Sequence, residues 1–186
     1  MSSQVTPYVR RAALFGLAAT AVYCAMLFGS LARLESISGL VPFDMRPMGY
    51  GPDDARALLL SLGDAGRVYY GRTQLLLDTF YPVLMALTLV NLYRRVGRGV
   101  AADGAVRIGV TLSWMAAVFD YSENALIAAM LVHWDALPDS LVQAASAATI
   151  AKSLATSVAV AWLVGLISWS VWRHWRSAHL TALENV

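Results

Sequence analysis

With 186 residues, 58% of them hydrophobic and only 14% charged, and with a positive mean hydropathy, the chain falls outside the composition of ordinary soluble domains. A formal net charge of +2, with no interleaving of aromatic and basic residues over a folded surface, excludes nucleic acid as a partner. The single cysteine, Cys24, excludes an internal disulfide and a CxxC redox pair.

A membrane span needs about 20 mostly apolar residues to cross roughly 30 Å of hydrocarbon. Four windows qualify, about 12–34, 73–93, 108–132 and 141–172. They predict an all-α integral membrane four-helix bundle forming one domain over residues 1–186.

The first window follows Arg10 and Arg11 as a signal peptide would. Its apolar stretch is too long for a typical signal core and no small-residue cleavage site follows, so it reads as a retained helix in which Cys24 packs. Residues 35–72 then form the longest connection, an external cap. Pro and Gly punctuate 39–52, which predicts turns. PDDARALLLSL next reads as a short amphipathic helix over 53–62 lying at the membrane surface. Pro52 stands at its first position, Asp53 and Asp54 complement its dipole, and Leu58, Leu59 and Leu62 share one face. Gly63 and Gly66 permit a bend, after which Tyr69 and Tyr70 suit an aromatic belt.

The second span holds Asp78 about 8 Å into the hydrocarbon, with Tyr81-Pro82 predicting a kink beside it. The connection 94–107 is a polar, glycine-containing loop with no phosphate-cradling pattern. In the third span Asp120, Glu123 and Asn124 recur at i, i+3 and i+4 and so share a face, with both acids about 18–22 Å along the helix. His133 stands alone beyond it, so no metal site is expected. The fourth span carries Ala145, Thr149, Lys152 and Thr156 on one stripe, with Lys152 roughly 16 Å deep. Trp169, Trp172 and Trp175 among Arg173 and Arg176 read as an interfacial anchor.

Arginines cluster before the first span, between the second and third, and after the fourth, whereas HWDALPDS has none. By the positive-inside rule both termini are cytoplasmic and 35–72 is external, as expected for a protein of the cytoplasmic (inner) membrane. Asp78, Asp120, Glu123 and Lys152, drawn from three helices, then fall in one layer of the outer leaflet. Charged groups facing lipid cost at least ~2.5–3.5 kcal/mol each, so these should point into the bundle, with Lys152 partnering the acids. Three acids meet one lysine, and a low dielectric disfavours the surplus charge, so at least one carboxyl is expected to hold a proton.

Several strings carry a resemblance. FDMRPMGYGPDDARALLLSLGDAGRVYYGRTQLLLDTFYP and FDYSEN resemble a group of small bacterial four-span membrane proteins that share R-P-x-G-Y, G-x-x-G-R-x-Y, D-x-x-Y-P and D-x-x-E-N patterns. The likeness implies the four-span fold and implies no particular activity. The layout is also similar, in architecture alone, to compact membrane sterol isomerases and sterol-binding proteins.

The function expected from these readings is binding of a lipid-like small molecule in an outward-facing pocket, with acid–base chemistry on it. Asp120 and Glu123 are the expected acid and base and Lys152 sets their charge. Asp78, Asn124, Tyr81, Arg67, Arg72, Thr149 and Thr156 are the expected binding residues. No cofactor or metal is implied, and membrane lipid is the expected partner. The competing readings are a structural or accessory subunit, whose polar layer fixes helix register, and a proton-coupled carrier, which would need an oligomer to complete a pathway.

Overall fold

In the computed structural model, which describes residues 6–100 and 103–184, the chain is helical almost throughout, and no strand occurs among the described residues. Helix α1 (Thr6–Ala25) passes through a π-helical segment, Met26–Leu31, into α2 (Ala32–Ser38). Gly39 ends α2 in the left-handed region, φ 70°, its N–H donating to Glu35 O at 2.7 Å. After a loop containing a 3-10 turn (Phe43–Met45), α3 (Pro52–Tyr69) leads through a second π segment, Tyr70–Gln74, into α4 (Leu75–Val100). Helix α5 (Asp103–Val132) and, after a 3-10 turn (Trp134–Ala136), α6 (Asp139–Glu184) complete the chain. Among the described residues, four helical stretches are long and apolar enough to cross a membrane: Pro7–Ser38, Pro52–Arg98, Asp103–Val132 and Asp139–Arg176. The architecture is an all-α four-helix bundle.

The expected polar loop over 94–107 is instead largely helix, since α4 continues to Val100 and α5 begins at Asp103. Residues 101–102 lie outside the described residues.

The cap differs from expectation in the length of its helix. Its helix starts as read, with Pro52 at the first position and the Asp54 carboxylate accepting the Gly51 N–H at 3.0 Å. Gly63, at φ 59°, breaks it. Beyond that glycine the chain re-enters helix and continues into the second apolar stretch, so the helix that carries it begins well before residue 73. The first half turns its apolar face onto the bundle. Leu58, Leu59 and Leu62 are buried with Leu34, Phe43, Ile127, Met130 and Val142, which makes the element a lid over one end of the bundle. Each buried leucine contributes about 1.5–3 kcal/mol to holding this lid on the bundle.

Along the bundle α1 packs on α4, α4 on α5, and α5 on α6. A second, smaller core of Leu89, Tyr93, Ala159 and Leu163 lies at the end away from the lid. There the Tyr93 hydroxyl donates to Ala159 O and its ring fills the space that a side chain at position 109 would need, which is why Gly109 is found there.

Candidate functional site

The site is assembled around Pro82. Proline has no N–H, so within α4 the carbonyl four residues earlier, that of Asp78, loses its helical donor. Asn124 of α5 supplies the replacement, its Nδ2 donating to Asp78 O at 3.2 Å. One turn away the Tyr121 hydroxyl donates to Thr79 O at 2.9 Å. Asn124 therefore replaces the donor that Pro82 lacks, and with Tyr121 it ties α5 to α4 at the turn that carries Asp78. Asn124, expected as a binding residue, thus spends its Nδ2 on backbone, while its buried Oδ1 has no hydrogen-bond partner among the described residues.

The other two polar residues of the face turn toward α6. Lys152 Nζ donates to Asp120 Oδ1 at 2.9 Å and forms an ion pair with Glu123 Oε2, while Thr149 Oγ1 donates to Glu123 Oε1 at 2.5 Å. Glu123 has no accessible surface, and both of its oxygens have a partner. The i, i+3 spacing that made this pairing legible is borne out as geometry.

Above Glu123 sits the lid loop. Gly49, at φ 84°, presses so closely on α6 that a Cβ there would fall 2.5 Å from Ser146 Oγ and 2.9 Å from Ile150 Cδ1. The next N–H, of Tyr50, donates to Ser146 Oγ at 2.9 Å. The Tyr50 ring packs on Phe43 with centroids 4.7 Å apart. Burial, with the charge of Glu123 adding to it, pushes the Tyr50 hydroxyl above its ordinary pKa.

Between α1 and α6, below this loop, is a cavity of about 460 Å³. Met26, Gln74, Asp78 and Asp120 form its buried floor, Lys152, Tyr81 and Thr156 its walls, and the exposed Tyr23, Met45, Pro47 and Ser157 its open rim. Asp78 is only 3% exposed, and its Oδ2 has no hydrogen-bond partner among the described residues. No group of three His, Cys, Asp or Glu side chains among them is placed to hold a metal ion.

Sequence reasoning missed two residues here. Asp44, from the lid loop, lines the cavity, accepts from the Tyr70 hydroxyl, and accepts from Gln74 Nε2 at 3.2 Å. Gln74 also accepts from Ser30 Oγ at 2.5 Å, so the two π segments meet through this amide. Asp44 sits in a turn that only tertiary structure directs inward; Gln74 was detectable as a polar residue at the head of an apolar run.

Of the expected binding residues, Asp78, Tyr81 and Thr156 face the cavity, and Thr149 is buried behind it on Glu123. Arg67 and Arg72 do not line it. Arg67 is folded into the lid, donating to Leu59 O at 2.7 Å and Asp64 Oδ1 at 2.5 Å, with its guanidinium 3.7 Å from the Trp134 ring centroid. A guanidinium with that many partners is a clamp between the lid and the turn before α6. Arg72 lies exposed over a separate shallow depression beside Leu76, Asn124 and Ala128.

No protein-family model, curated protein or solved structure matches the chain. The geometry of the site therefore carries the functional reading.

Proposed function

We propose that the protein binds an amphiphilic, lipid-like molecule in the cavity between α1 and α6, admitting it from the bilayer past Tyr23 and Ser157. The observation that supports this most is the buried, unpartnered carboxylate oxygen of Asp78 at the base of an open cavity whose apolar side is Met26, Leu27 and Leu31 of the π segment after α1. Leaving a buried polar atom unpaired costs about 1–3 kcal/mol. A ligand group that satisfies it recovers that energy, while an apolar chain along α1 adds burial. Asp78 and Asp120 are the acids positioned to exchange a proton with a bound molecule. Glu123, enclosed by Thr149 and Lys152, acts through the charge of Lys152. The lid end faces outward across a bacterial cytoplasmic membrane.

The test is analysis of small molecules extracted with the protein after purification in mild detergent, compared with Leu27→Trp, which fills the cavity. One amphiphile enriched with the native chain and lost from the variant is expected. Identical extracts from both proteins would overturn the proposal and favour a structural subunit whose polar layer only sets helix register.

A further inference from the structure

The charges around the cavity narrow what it accepts, an inference that rests on the binding reading above. Asp44, Asp78 and Asp120 line the cavity against a single cation, Lys152, which is already shared between Asp120 and Glu123. Arg46 is turned to Val41 O, with its Nε at 3.0 Å and its Nη2 at 2.8 Å, and so does not add a second cation to the cavity wall. Asp44 is satisfied from within the protein by Tyr70 and Gln74. Asp78 is not: it is buried, it lines the cavity, and one of its oxygens has no partner among the described residues. Tyr23 at the rim and Tyr81 on the wall hold their rings 5.6 Å apart, and aromatic faces attract cations.

We infer that the preferred ligand is a cationic amphiphile, a hydrocarbon skeleton ending in a protonated amine, whose N–H donates to Asp78 Oδ2 while its chain runs along Met26 and Leu27. A fatty acid would bring a further negative charge to a site that already has an excess of acids. A neutral alcohol would supply a hydrogen bond without the counter-charge, and charge-assisted hydrogen bonds are roughly twice as strong as neutral ones.

Dodecylamine, dodecanol and dodecanoate, titrated separately into the full-length protein in neutral-lipid nanodiscs and read by the rise in Tm, test this. Dodecylamine should half-saturate at a concentration about tenfold below that of dodecanol, and dodecanoate should give no rise. In Asp78→Asn, which keeps the side-chain shape, the amine should fall to the level of the alcohol. A lysophosphatidylethanolamine arm separates sources: a rise that Asp78→Asn removes assigns the amine to a lipid headgroup, and no rise assigns it to free amines. Equal affinity for amine and alcohol, or an amine preference that survives Asp78→Asn, overturns the inference. If Leu27→Trp nonetheless abolishes binding of the probes, the cavity reading stands while its cationic preference fails; if Leu27→Trp changes nothing, both fail.

Discussion

Single side chains in FDYSEN have separable jobs, which makes their substitutions informative. Asn124 serves a carbonyl that is vacant only because residue 82 is proline, so its contribution should depend on that proline. Asn124→Ala is expected to lower stability by about 1 kcal/mol, the scale of an interhelical hydrogen bond in a membrane protein. In a Pro82→Ala background the helix repairs itself and the same change should cost markedly less; a double-mutant cycle by denaturation in mixed micelles measures the difference. Equal costs in both backgrounds would remove the kink-repair role. Lys152 poses the opposite case. Lys152→Met strands Asp120 and Glu123 and should cost about 3–5 kcal/mol, less if lipid or water reaches them. Replacing all three with apolar residues of similar size should restore or raise the Tm. A triple variant that melts higher yet still retains the copurifying amphiphile would show the trio to be structural only. The acids on α5 and the lysine on α6 were legible from spacing and depth because helices fix both. Asp44 was not, because a loop residue has no such periodicity, and Arg67, though helical, was misplaced because its partners Leu59 O and Trp134 are set by how the lid folds back.

At the scale of elements, the lid is held by one tight approach rather than by its helix alone. Gly49 combines a positive φ with contact against Ser146 and Ile150, so a side chain there is opposed by both backbone and space. Gly49→Ala should lift the 39–51 loop, raising its hydrogen exchange and protease cleavage and lowering the Tm, while helical content by circular dichroism stays constant. Adding Ser146→Ala should relieve only the steric part, because the strain at φ remains and the Tyr50 N–H loses its acceptor. Full rescue by Ser146→Ala would show that φ is not the constraint. This reading also accounts for the R-P-x-G-Y turn: Arg46 ties the loop to Val41 O, Gly49 allows the approach, and Tyr50 covers Glu123 and Thr149. The four spans were legible because about 20 apolar residues have few other fates. What the leucine face of the lid packs against was not, since periodicity shows that Leu58, Leu59 and Leu62 share a face and does not name Leu34, Phe43 and Ile127 as its partners.

For the molecule as a whole, orientation in the bilayer decides whether the cavity opens in the outer leaflet. The two ends of the bundle differ in charge. Arg10, Arg11, Arg94, Arg95, Arg98, Arg107, Arg173 and Arg176 lie at the end away from the lid, against Arg33, Arg46, Arg56, Arg67 and Arg72 at the lid end. The lid arginines are accompanied by Glu35, Asp44, Asp53, Asp54, Asp64, Asp135 and Asp139, and several are spent inside it: Arg46 on Val41 O, Arg56 on Asp53 and Asp139, Arg67 on Asp64 and Trp134. Opposite the lid the only acids in the sequence are Asp103 and Glu184. The basic residues that bias insertion are counted within short loops near span ends, and there the end away from the lid leads, which supports the proposed orientation with that end in the cytoplasm. Single cysteines at Gly51 and Asp139, introduced in a Cys24→Ser background, should therefore react with an impermeant maleimide added to intact cells, whereas one at Arg107 should react only after the membrane is opened. The reverse pattern would place the cavity in the inner leaflet, so that any amphiphile it binds would come from the cytoplasmic side.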